Sequence, residues 1–159
     1  MQQPGSGYSQ ATARPVSELL ACSRDVSDLL SASARTIAFE NGDYVFHQGD
    51  ACAGLYLVVD GRLMRRSEQG GVRIPLGVIR PGELVELAAA LGEPSHTYSL
   101  VGQGKGSLVL LPLHHLNRAF EACPALRMRL LEELAREVSR AYYATSVARD
   151  LLMRRVSAL

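Results

Sequence analysis

Residues 40–66 read ENGDYVFHQGDACAGLYLVVDGRLMRR, and their punctuation decides the fold. Short aromatic and β-branched runs, Tyr44-Val45-Phe46 and then Leu55 to Val59, are cut by Asn41-Gly42-Asp43, Gly49-Asp50 and Asp60-Gly61. Those residue types turn a chain between strands, because Gly tolerates positive φ and Asn and Asp bond to their own backbone. Working outward, the period of two begins at Arg35, and further turns fall at Gly70-Gly71 and Pro81-Gly82. Strands of about five to seven residues with such turns give an antiparallel roll or sandwich.

Downstream, a short apolar helix over 86–91 ends at Gly92, and TYSLVGQGKGSLVLLP supplies two more strands around Gly102 to Gly106. The β part closes near Pro112. LHHLNRAFEA then forms an amphipathic helix with Leu113, Leu116 and Phe120 on one face, and Pro124 starts another where proline is tolerated. Neither Pro nor Gly follows as far as Leu159, so one helix of roughly 50 Å is expected. Upstream, residues 1–14 read as a disordered tail, and VSELLACSRDVSDLLSASA (16–34) as two short helices. The fold class is α+β: an antiparallel β-roll of the jelly-roll kind over 15–123, with short flanking helices and a long helix over 124–159.

That helix carries a seam. Leu131, Leu134, Val138, Ala141, Thr145, Ala148 and Leu152 are spaced alternately three and four apart, the a/d pattern of a two-stranded coiled coil. Leu130, Tyr142 and Val156 form a second apolar face. Two faces suit a helix that packs on its own roll and on a partner, so a homodimer is expected.

Composition excludes several classes. Lys plus Arg total 17 against 16 Asp plus Glu, for a net charge of +1, which is no nucleic-acid binder's balance. Arginines of the last helix alternate with Glu132, Glu133, Glu137 and Asp150, the pattern of a solvated face. No long apolar run or leader pattern is present, so a cytoplasmic protein with no membrane contact is expected. Cys22, Cys52 and Cys123 are too few for a four-thiolate cluster and include no CxxC pair, as free thiols would be.

With these residues in view, the chain resembles the cyclic-nucleotide-binding-domain superfamily. Gly42, Gln48, Gly49, Asp50, Tyr56, Gly61 and Gly82 fall where its pattern places them. The roll leading into a long helix is similar to the sensory domain and dimer helix of catabolite-activator/fumarate-nitrate-regulator (CRP/FNR) type transcription regulators. Such regulators continue into a helix-turn-helix; here ARDLLMRRVSAL resembles only the lead-in, so no such domain is expected within the chain.

The resemblance also implies a pocket. Its pattern is Gly-Glu-x-x-Gly-Glu-x-Ala followed by Pro-Arg-x-Ala, with the second Glu holding a ribose hydroxyl and the Arg pairing with the cyclic phosphate. Aligned without a gap, Gly82 and Glu83 match, Glu86 replaces the second glycine, Leu87 replaces the ribose glutamate, Pro94 matches and Ser95 replaces the arginine; a one-residue gap would restore Glu86 as the ribose partner, but no register restores the arginine. The pocket candidates are therefore Gly82, Glu83, Leu84, Val85, Glu86, Leu87, Ser95, His96 and Thr97. An altered pocket that does not hold cyclic AMP or cyclic GMP tightly is expected, with the effector unknown.

No catalytic constellation emerges from spacing, and no metal site or enzyme is expected. No cofactor is expected either, haem held by His96 being the alternative that some relatives of the fold suggest. Two functions remain open on the residues: the sensing and dimerisation domain of such a regulator, reaching DNA only through a further domain, or a stand-alone dimeric scaffold.

Overall fold

The computed structural model describes residues 24–92 and 95–156, and within the last helix not the side chains of 144, 145, 148, 151, 152, 155 and 156. The expected tail, the first N-terminal helix, Cys22, Pro94 and the seam side chains of Thr145, Ala148 and Leu152 lie outside this description. Helix α1 (Arg24–Ser33) is followed by β1 (Arg35–Phe39), β2 (Tyr44–Phe46), β3 (Gly54–Asp60), β4 (Leu63–Gln69), β5 (Val72–Ile79) and β6 (Leu84–Val85). Then come α2 (Leu87–Leu91), β7 (Ser99–Gly102), β8 (Gly106–Pro112), α3 (Leu113–Ala122) and α4 (Pro124–Val156).

The strands form two antiparallel four-stranded sheets, ordered β1-β8-β3-β6 and β2-β7-β4-β5. In the centre of the first, Tyr56 pairs with Leu110 and Leu57 with Val109. The pleat splits this sheet's side chains between two cores. Leu55, Leu57, Val109 and Leu111 pack under the helices with Leu30, Leu87, Leu116, Phe120, Leu126 and Leu130. Tyr56, Val58, Leu108 and Leu110 point the other way, onto Phe39, Phe46, Leu63, Ile79, Val85 and Leu100 inside the roll. A strand buried on both faces explains why Leu55 to Val58 is continuously apolar. Gly102 closes the roll: a Cβ there would run into the Glu40 carbonyl oxygen and the Phe39 ring.

Helix α4 is docked by residues one turn apart. Leu126 and Leu130 are buried in the helix-side core and Leu134 packs against it half-buried, which fixes the face that meets the roll. Three of the expected seam residues also face the roll: Leu134 packs half-buried against its core, and Val138 and Ala141 stand at the walls of the clefts. Leu131 is half-buried, and the outward side carries Tyr142 and Tyr143, 75% and 73% exposed. Mixed charges on the helix pair as their spacing allows, Arg136 with Glu132 and Glu133, and Arg140 with Glu133 at 3.0 Å. Among the described residues no helix is long and apolar enough to cross a membrane.

Candidate functional site between the roll and the long helix

The loop from Pro81 to Leu87 is built from its own backbone. Gly82, at φ 88°, donates its N–H to the Val58 carbonyl at 2.8 Å, and the Glu83 carbonyl accepts from Val58 N–H at 3.1 Å. The Glu83 carboxylate accepts from the Arg80 N–H at 2.9 Å, so it closes the turn. Val85 enters the roll core. Glu86, just before α2, is the one non-glycine residue with positive φ among the described residues, at φ 69° and ψ 36°. That left-handed region costs a side-chain-bearing residue what it does not cost glycine.

Glu86 and His96 are buried together. His96 Nδ1 lies 3.4 Å from Glu86 Oε2 with both side chains almost wholly enclosed, yet without the alignment of a hydrogen bond, and both Glu86 oxygens lack a protein donor. The imidazole stacks on Phe46 with centroids 3.7 Å apart, and its main chain is pinned to the Gly49-Asp50 turn, His96 N–H donating to the Asp50 carbonyl at 2.8 Å. Two phenols stand nearby. Burial pushes the Tyr56 hydroxyl up to about 12, helped by Cys52 and the Glu86 carboxylate. Burial also raises Tyr98, against the pull of the Arg65 guanidinium. The Cys52 thiol is raised by burial and donates to the Gly54 carbonyl at 3.4 Å.

Two clefts that share Arg65, Leu87, Glu137 and Ala141 separate this part of the roll from α4. The larger, about 750 Å³, runs from Gly77, Val78 and Gly82 to the helix residues Arg129, Glu133 and Arg140. The smaller, about 230 Å³, is bounded by Glu86, Leu87, Thr97, Tyr98, Leu134 and Val138 among others. Between them stands Arg65 of β4. Its Nη2 meets Glu137 Oε1 of α4 at 3.0 Å, its Nε is buried without an acceptor, and the guanidinium carbon lies 5.5 Å from the Tyr98 ring centroid.

Of the residues proposed from sequence, Gly82, Glu83, Leu84 and Leu87 line the larger cleft, and Glu86, Leu87 and Thr97 the smaller. Val85, Ser95 and His96 line neither: Val85 is in the roll core, Ser95 bridges to Ala51, and His96 is enclosed against Phe46. Arg65, Tyr98 and Glu137 were not anticipated. Arg65 had one signal, a cation in mid-strand, but the register break between Arg65 and Arg66 that sets its surroundings left no mark in the alternation. Among the described residues no group of three or more His, Cys, Asp or Glu side chains could hold a metal ion.

The same arrangement of sheets and helix is found in solved structures. The sensor domain of the transcriptional regulator DNR from Pseudomonas aeruginosa matches with a TM-score of 0.74 at 17% identity, over 84% of this chain and 92% of that one. The Thermus thermophilus catabolite activator protein matches at 0.69 and 24% identity, over 84% of this chain and 62% of its own length. The regulatory subunit of a cAMP-independent protein kinase A from Trypanosoma brucei matches at 0.70 and 17% identity, over 88% and 52%. At these identities the likeness is one of fold. Comparison with curated proteins found no match. The family model of the cyclic nucleotide-binding domain matches residues 36–123, more than half of the 159 residues. The chain belongs to the cyclic nucleotide-binding domain family.

Proposed function

We propose that the chain is the effector-sensing and dimerisation domain of a CRP/FNR-like transcription regulator, with a cleft altered so that cyclic AMP and cyclic GMP bind weakly. One arrangement carries the reading: Gly82, Leu84 and Leu87 of the roll and residues from Arg129 to Ala141 of α4 wall a single cleft. A molecule that fills it touches both bodies at once, so its binding energy can bias where the helix sits. The Pseudomonas and Thermus proteins, by their descriptions a sensor domain and an activator, supply the regulatory role. DNA contact belongs to a further domain, the site of action is the cytoplasm, and catalysis has no part in it.

Weak nucleotide binding is supported by the register of the loop. Glu86 has the left-handed backbone that a glycine position requires, which favours the ungapped alignment and leaves Leu87 where the family's ribose glutamate belongs. Ser95, aligned with the family's arginine, and Thr97, which lines the smaller cleft, bring no charge. Removing one partner of a buried charge pair costs about 2–5 kcal/mol, some thirtyfold to several-thousandfold in affinity. The Trypanosoma protein, described as cAMP-independent, is an instance of this fold whose function does not follow the nucleotide.

Dimerisation is supported by the exposed apolar side chains Met128 and Tyr142 on α4, which its own roll leaves uncovered. Light scattering is expected to give twice the chain mass of 17.2 kDa. A monomer at tens of micromolar would remove the dimer from the proposal. Reading the coding frame beyond Leu159 tests the DNA-binding part, since a helix-turn-helix must follow if it is right.

A further inference from the structure

We propose that Arg65 is the anion seat of the cleft and that its ligand is a small monocarboxylate with an apolar body, which takes the place now held by Glu137. The inference rests on reading the cleft as the effector site. Nε and Nη2 share one edge of a guanidinium, the edge that receives a carboxylate through two parallel hydrogen bonds. In this chain only half of that edge is used: Nη2 meets Glu137 at 3.0 Å and Nε is buried without an acceptor. A buried donor left unmade is a cost to the fold, and a free carboxylate, unlike one tethered to a helix, can approach both nitrogens squarely.

The surroundings favour such a guest. Opposite Arg65 on β5 stands Gly77, where an added Cβ would meet nothing within 4 Å, so the space beside the stem is open. Tyr98 lies against the guanidinium at 5.5 Å and helps to hold its plane. The volume next to it, about 230 Å³, is walled by Leu87, Ala88, Leu134, Val138 and Ala141 as well as the Tyr98 ring. Hydrocarbon or an aromatic ring suits that wall; a ribose with its hydroxyls does not. Charge selects the headgroup. Arg136 and Arg140 on the same helix are already matched by Glu132 and Glu133. A monocarboxylate on Arg65 adds one negative charge to a cleft in which Glu137 stays tethered, and a dianion would add two, close to Glu86 and Glu133.

The exchange releases Glu137 and with it an ion pair between β4 and α4, which gives the ligand a differential effect on the helix. The test is 15N NMR of the arginine Nε–H groups in the whole chain and in its Glu137→Gln variant, titrated with benzoate and with its uncharged analogue benzamide. The Arg65 resonance, assigned through its own side chain, is expected to shift saturably with benzoate and not with benzamide. Half-saturation should come about two- to fivefold earlier in Glu137→Gln, the scale of a partly exposed ion pair removed as competitor. An Arg65 resonance unmoved by benzoate up to on the order of 50 mM in Glu137→Gln, or moved equally by benzamide, overturns the proposal. Cyclic AMP saturating the same resonance at micromolar concentration would overturn the weak-nucleotide reading as well; weak cyclic AMP with no benzoate response would overturn the ligand class alone.

Discussion

The two cores on either side of the β3-β8 sheet are made differently. Under the helices, Leu55, Leu57, Leu111, Leu116, Leu126 and their neighbours pack hydrocarbon on hydrocarbon, and the Ser31 hydroxyl at their edge is bonded to the Ser27 carbonyl at 2.6 Å. On the roll side, Phe46 and Tyr56 share their space with an imidazole that faces a buried carboxylate lacking any protein donor. The first core is what folding alone would select. The second carries strain and unmatched polarity, at the edge of the clefts, and departures of that kind gather where a site is kept.

The largest expected effect breaks the helix-side core. Leu126 is fully buried at the start of α4, and Leu126→Ala should lower unfolding stability by about 2–5 kcal/mol, read by urea or thermal denaturation. On the roll side the sign should reverse. Glu86→Gly removes both the left-handed strain and an enclosed carboxylate, and is expected to raise stability by about 1 kcal/mol or more. A loss of stability instead would mean that the Glu86–His96 pair holds the roll together.

A pH scan sharpens the same contrast. The Tyr56 pKa is about 12 in the fold against 10 for an unperturbed phenol. The folded state thus keeps a proton that the unfolded chain gives up. Stability from this group is fully present below pH 10 and is lost as pH rises from 10 to 12. Tyr56→Phe should flatten that alkaline fall; an unchanged slope would assign it to other groups. The smallest effect on stability lies outside both cores. Tyr142→Glu, at a side chain 75% exposed, should change roll stability by no more than about 0.5 kcal/mol while converting a dimer to monomers in light scattering.

How much of this was legible depended on which forces decide each part. The turns at Gly42, Gly49, Gly61 and Gly82 are local chemistry, and each has positive φ, so the strands between them could be read directly. Helix α4 was legible in length, but its two faces were not separable: Leu134 and Ala141 fit an a/d seam by spacing, and only the docking of Leu126 and Leu130 turns them toward the roll. The loop's shape was readable because Gly82 and Glu83 are tied by short-range bonds. The cleft's cation was not, because Arg65 and Glu137 lie 72 positions apart and meet only when α4 lies across the sheet. Ser95 and His96 were candidates by nearness in sequence, and the bridge to Ala51 and the stacking on Phe46 take them out of the cleft wall.

Calorimetry of cyclic AMP and cyclic GMP with the unmodified chain decides whether the family's cleft is kept while its cyclic-phosphate chemistry is not. No saturable heat is expected below about millimolar nucleotide, since Leu87 supplies no ribose acceptor and Ser95 no charge at the aligned positions. A dissociation constant in the micromolar range for either nucleotide would contradict it. Such a result would mean that Arg65 leaves Glu137 and neutralises the cyclic phosphate after all.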